Sequence, residues 1–127
     1  MPLVLVVDDD AGMVQLLRTL LWRMGFGRVL SATDPYAALS LARESGCAVD
    51  LLISDIDLGT KMDGVQLARE LVARSPAAKV VLMSGDHTRE HGLSGDWSFL
   101  PKPFALADLL ALFQKSLGGQ ELRAGAA

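Results

Sequence analysis

Short unbroken apolar runs alternate along this chain with longer stretches in which apolar residues recur every three or four positions. The runs are rich in valine and leucine and too short for helices, so they predict strands of a parallel sheet buried on both faces. They cover Leu3 to Val7, Arg28 to Ala32, Leu51 to Ser54, Lys79 to Met83 and Trp97 to Leu100. Helices are predicted between them. Val14, Leu17, Leu20, Leu21 and Met24 mark the first, over Ala11 to Met24, with Gly25 as its stop. Asp34-Pro35 opens a second, a capping carboxylate before a first-turn proline, with Ala38, Leu41 and Ala42 on its apolar face and Gly46 at its end. Asp63-Gly64 opens a third carrying Val65, Leu67, Ala68, Leu71 and Val72, with Pro76 beyond it. Leu106, Leu109, Leu110, Phe113 and Leu117 mark the last. Strands and helices in alternation make an α/β, doubly wound architecture.

One link in the alternation is weak. Between Ser84 and Trp97 the sequence reads GDHTREHGLSGD, where Gly85, Gly92 and Gly95 interrupt any helical stripe. A helix there is predicted to be a single turn or absent. Residues 1–118 form one domain, and the small and polar residues of 119–127 predict a frayed tail.

Four of the runs end in side chains suited to phosphate or metal chemistry: Asp8 and Asp9, then Asp55, Ser84 and Lys102. In an open parallel sheet the carboxyl ends of the strands line one crevice, so these residues are expected to meet. Three carboxylates so close disfavour full ionisation unless a cation compensates. A hard divalent ion such as Mg²⁺ suits them, because it takes oxygen ligands and also binds phosphate. Lys102 offers a mobile positive charge and Ser84 a hydroxyl donor for phosphate oxygens. Phosphoryl transfer needs little beyond such a site and a nucleophile, and Asp55 is the obvious one. Asp10 is read instead as the cap of the first helix.

Bulk properties narrow the field. A length of 127 residues and 13.5 kDa suits one domain. A net charge of −3 argues against a nucleic-acid surface. The single Cys47 excludes a disulfide framework, suits a reducing cytoplasm and is read as a small buried hydrophobe. The N-terminal apolar run is interrupted by acids too early for a signal peptide or membrane span. Trp22 is expected to pack on the first helix and Trp97 to begin the fifth strand. His87 and His91, at i,i+4 spacing, form only a poor candidate metal pair.

With VVDD at 6–9, LLISD at 51–55, LMSG at 82–85 and KPF at 102–104, the chain resembles a response-regulator receiver domain over about residues 3–117. The resemblance implies a flavodoxin-like sheet of order 2-1-3-4-5 and transfer of a phosphoryl group to Asp55 from a phosphohistidine on a histidine kinase or histidine phosphotransfer protein. It implies that Asp9 binds Mg²⁺ directly and Asp8 through water, with Asp57 contributing its backbone carbonyl. Ser84 and Lys102 would hold phosphate oxygens, Phe99 would be the switching aromatic, and the Lys102–Pro103 peptide would be cis, an arrangement only proline makes cheap. Asp57 and Asp86, two residues after the nucleophile and the serine, would tune phosphoryl lifetime. A downstream protein would read the switch in the cytoplasm, with no nucleic acid or membrane contacted directly.

The chain departs from the family pattern in three places. The segment IDLGTKMDG after Asp55 lacks the common Met-Pro and runs one residue longer. The fourth helix is reduced, which resembles receivers of hybrid histidine kinases more than the chemotaxis type. No output domain is expected to follow, and output is expected through protein contact or phosphate relay. Two other readings remain beside this one. Asp55-Ile56-Asp57 followed by Leu58-Gly59-Thr60 resembles the signature of haloacid-dehalogenase-like phosphatases, although the motif order does not. A receiver-like adaptor that works without phosphorylation is the second. A flavin module lacks its phosphate loop after the first strand.

Overall fold

A computed structural model describes residues 2–117. The strands are β1 (Val4–Val7), β2 (Val29–Ala32), β3 (Leu51–Asp55), β4 (Lys79–Ser84) and β5 (Ser98–Pro101), and the helices α1 (Ala11–Arg23), α2 (Pro35–Ser45), α3 (Gly64–Arg74) and α4 (Leu106–Leu117). The strands form one parallel sheet in the order β2-β1-β3-β4-β5. Alternation along each strand divides the core in two. Leu5, Val7, Leu52 and Leu82 face α2 and α3, whereas Val4, Val6, Ile53 and Met83 face Leu17 and Leu21 of α1 and Leu109 and Phe113 of α4. Helices therefore cover both faces, and the central strands are buried along their whole length.

Carboxylates start three of the helices. Asp10 accepts from the amides of Gly12 and Met13, Asp34 from that of Ala37, and Asp63 forms a capping box with Gln66. Gly46 ends α2 with φ +68°, a conformation that favours glycine. Between β4 and β5 stands a single 3₁₀ turn, His87–Glu90, as the glycine-broken sequence predicts. The order of the sheet, the short fourth helical segment and most element bounds agree with the expectations to within a residue.

Some expectations fail. Trp22 does not pack: its side chain is 73% exposed, because α1 buries the stripe Val14, Leu17 and Leu21 and the next position lies about 100° further round the helix. Cys47 is exposed rather than buried, since it sits in the turn just past the end of α2, where its amide donates to the Ser45 hydroxyl. On α2 it is Leu39, not Leu41, that is buried, and Leu106 on α4 is exposed. Trp97 immediately precedes β5 rather than opening it. The predicted tail, 119–127, and the side chain of Leu117 lie outside the described residues.

Candidate functional site

Parallel pairing with Val7 opposite Ser54, Asp55 opposite Met83 and Ser84 opposite Pro101 brings the carboxyl ends of four strands to one edge of the sheet. The expected residues meet there. Asp8, Asp9 and Asp55 each present a carboxylate oxygen within 4.8 Å of the others, with Asp8 and Asp55 buried and Asp9 exposed. The Lys102 ammonium reaches Asp8 Oδ2 at 2.9 Å and Asp55 Oδ2 at 3.5 Å. Asp8 Oδ1 accepts from the Asp10 amide at 2.9 Å, so the most buried carboxylate is held at both oxygens.

Electrostatics follow from this packing. Burial pushes the Asp55 carboxyl above the usual range, the charges of Asp8 and Asp9 add to that, and Lys102 opposes it. At Lys102 burial acts to lower the ammonium, but the hydrogen bond and charge of Asp8 together with the charge of Asp55 outweigh it, and its pKa stands above the ordinary value. Three carboxylates against one ammonium leave two negative charges over. All the donors are hard oxygens, and the carboxylate of Asp9 has no protein partner among the described residues. This donor set and charge suit a divalent cation such as Mg²⁺.

Ser84 is fully buried at the end of β4. Its hydroxyl accepts from the Asp86 amide at 3.0 Å and donates a long bond, 3.4 Å, to Asp57 Oδ2. The Lys102 amide donates to the Ser84 carbonyl at 2.9 Å, which ties Ser84 and Lys102 together through the backbone. Phe99, partly buried, pairs with Leu82 across the sheet and packs on the core beneath α2 and α3. The Lys102–Pro103 peptide is cis.

The remaining candidates are placed less simply. Asp86 turns its carboxylate to Thr88, whose hydroxyl at 2.6 Å and amide at 3.1 Å hold it below the usual carboxyl range, and so it caps the 3₁₀ turn. His87 and His91 do not share a helical face, because the backbone becomes extended at His91; His87 Nε2 lies 3.3 Å from the Lys102 carbonyl. Asp57 is largely exposed and carries an unforeseen partner, Arg89, at 2.7 Å. No spacing rule signals Arg89, which stands alone in a glycine-broken segment 32 residues from that partner.

The family model described as the response regulator receiver domain matches residues 4–114. Over 121 residues, 92% of this chain, it is 35% identical to the sensor kinase CckA of Brucella abortus, covering 12% of that protein. Over 124 residues, 94% of the chain, it is 32% identical to the two-component response regulator ARR10 of Arabidopsis thaliana, covering 22% of it. The chain thus spans less than a quarter of either relative. The crystal structure of the Vibrio cholerae chemotaxis protein CheY4 superposes with a TM-score of 0.75 at 26% identity, over 91% of this chain and 98% of that one. Among the described residues no helix is long and apolar enough to cross a membrane.

Proposed function

The chain belongs to the response-regulator receiver domain family of two-component signalling, and from that footing we propose that Asp55 accepts a phosphoryl group in a Mg²⁺-dependent switch. The observation that carries this reading is the convergence of Asp8, Asp9, Asp55 and Lys102 at one sheet edge, with an excess of two negative charges. The donor is a phosphohistidine on a histidine kinase or histidine phosphotransfer protein. In the transfer the phosphorus–nitrogen bond breaks, its electron pair stays on the imidazole, and a carboxylate oxygen of Asp55 forms the new bond to phosphorus. Asp9 directly, Asp8 through water, Asp55 and the backbone carbonyl of Asp57 would hold Mg²⁺. When bound, it offsets the carboxylate charge and the negative charge gathering on the phosphoryl oxygens.

Lys102 supplies the remaining positive charge for a phosphoryl oxygen, and the Ser84 hydroxyl supplies a donor. Drawing Ser84 toward the phosphoryl group breaks its long bond to Asp57, shifts the oxygen that accepts from the Asp86 amide and opens space beside Phe99. The switch is then a population shift between two packings, with Phe99 and the Lys102–Pro103 segment as its moving parts. Asp57 and Asp86, two residues after Asp55 and Ser84, tune the slow hydrolysis of the phosphoryl group. The reader is a downstream protein, with no direct contact to nucleic acid or membrane, and the setting is the cytoplasm.

Relay from a protein donor tests the partner directly. A histidine phosphotransfer domain carrying radiolabelled phosphohistidine is expected to pass its label to the wild-type chain when Mg²⁺ is present and not when it is chelated. Label that stays on the donor under both conditions would count against a phosphohistidine partner.

A further inference from the structure

Arg89 lies in the 3₁₀ turn between β4 and β5, far in sequence from the residues after Asp55, yet its guanidinium joins both ends of the segment they form. Nη1 donates to Asp57 Oδ1 at 2.7 Å and Nη2 to Asp63 Oδ2 at 3.2 Å. Asp63 is a fixed anchor, because its other carboxylate oxygen caps α3 through the Gln66 amide at 2.9 Å. The fork of the guanidinium lets one side chain hold two carboxylates at once. Asp57 has no comparable anchor of its own: its other oxygen takes only the 3.4 Å bond from Ser84, and its side chain is 62% exposed. The same turn is tied to the other side of the site where His87 lies against the Lys102 carbonyl. A segment that lacks the proline common at this place is thus braced by an ion pair.

Asp57 stands two residues after the phosphoacceptor, and its Oδ2 lies 3.4 Å from the hydroxyl of Ser84, which puts its carboxylate beside the site. Hydrolysis of an aspartyl phosphate is attack of a water oxygen on phosphorus. The bond from phosphorus to the Asp55 oxygen breaks with its electron pair left on the carboxylate, and the proton of the water passes to a base or to solvent as inorganic phosphate forms. A free carboxylate at residue 57 is a suitable hydrogen-bond acceptor for that water. One already engaged by a guanidinium is weaker and fixed in direction. Building on the reading of Asp55 as phosphoacceptor, we propose that Arg89 is a positioning residue that holds the Asp57 carboxylate out of the hydrolytic path and so prolongs the phosphorylated state.

The test is a double-mutant cycle on the rate of phosphoryl loss. Wild type, Arg89→Gln, Arg89→Lys, Asp57→Asn and the Arg89→Gln/Asp57→Asn pair are phosphorylated with a small phosphodonor and Mg²⁺. The donor is then removed, and the loss is followed by intact mass. Arg89→Gln is expected to lose its phosphoryl group about fivefold faster, a factor in keeping with a partly exposed ion pair. Arg89→Lys, with the charge but not the fork, is expected to fall between it and wild type. Replacing Arg89 in the Asp57→Asn background is expected to change nothing. An unaltered lifetime in Arg89→Gln overturns the inference, and so does an acceleration that persists in the double variant, because Arg89 would then act without Asp57. Both outcomes leave Asp55 as acceptor, whereas wild type that gains no phosphoryl group removes that reading and this inference together.

Discussion

Lys102→Met is expected to destabilise the fold by about 3 kcal/mol in the absence of divalent cations, because it removes one partner of a buried ion pair and leaves the other uncompensated. The Asp8 side chain is 1% exposed and that of Lys102 22%, with 2.9 Å between the charged atoms, so solvent screens little of the interaction. The methionine keeps the apolar stem and deletes only the charge. Asp8 then faces Asp55 and Asp9 with no cation among them, and part of the cost is relieved by protonation of Asp55, whose carboxyl is already pushed up by burial. Urea unfolding with and without Mg²⁺ measures the effect. The deficit is expected to shrink as Mg²⁺ rises, since an ion bound only by the folded state adds stability by mass action. The sign of the pH dependence follows from the raised pKa of Lys102. Its contribution is full below the ordinary lysine value and is lost as pH climbs through the raised one, so wild type shows an alkaline loss of stability that Lys102→Met lacks. A change of less than about 0.5 kcal/mol, typical of exposed positions, would show that the pair is not buried as described.

Gly64→Ala is expected to be as damaging, for a steric reason. A Cβ on Gly64 would clash with the carbonyl oxygen of Asp55 and lie 2.9 Å from the Cα of Ile56 and 3.0 Å from the carbonyl carbon of Asp55. These are backbone atoms, so no rotamer change gives room. The first turn of α3 also donates the Gly64 amide to the Ile56 carbonyl at 2.8 Å, which fixes how close the helix comes. Overpacking of this kind costs about 3 kcal/mol or more when backbone must move, and what moves is Asp55, the proposed phosphoacceptor. Thermal unfolding is expected to shift down and phosphoryl uptake to slow. At Gly85, where a Cβ meets nothing within 4 Å, alanine is expected to change stability by less than about 0.5 kcal/mol. Equal stability of the two variants would contradict the close approach of α3 to Asp55.

These two residues mark what could and could not be read from the chain. Lys102 announced itself, because its chemistry and its place after an apolar run suffice once the sheet is parallel. Strand ends and helix caps are local facts: a valine-rich run, an acid before a proline, a glycine after the last turn. Asp10, Asp34 and Asp63 were accordingly legible as helix starts. Gly64 was legible as part of a start and not as a contact, since its demand for space comes from a strand nine residues earlier in the chain. Arg89 was not legible at all. Its partners lie 26 and 32 residues away, and an arginine in a glycine-broken segment reads as solvated until the fold brings it to Asp57 and Asp63. Trp22 failed in the opposite sense: bulk and apolarity suggest packing, but the helix phase set by Leu17 and Leu21 turns it outward.

The central claim is that Asp55 takes a phosphoryl group, and the most direct measurement is intact mass after incubation with a small phosphodonor and Mg²⁺. Wild type is expected to gain one phosphoryl group, and Asp55→Asn to gain none. That variant is expected to remain folded, because it removes a carboxylate whose charge is disfavoured by burial and by Asp8 and Asp9, while Lys102 keeps its shorter contact with Asp8. No gain in wild type, or an equal gain in Asp55→Asn, would contradict the account; the first would favour an adaptor that works without phosphorylation.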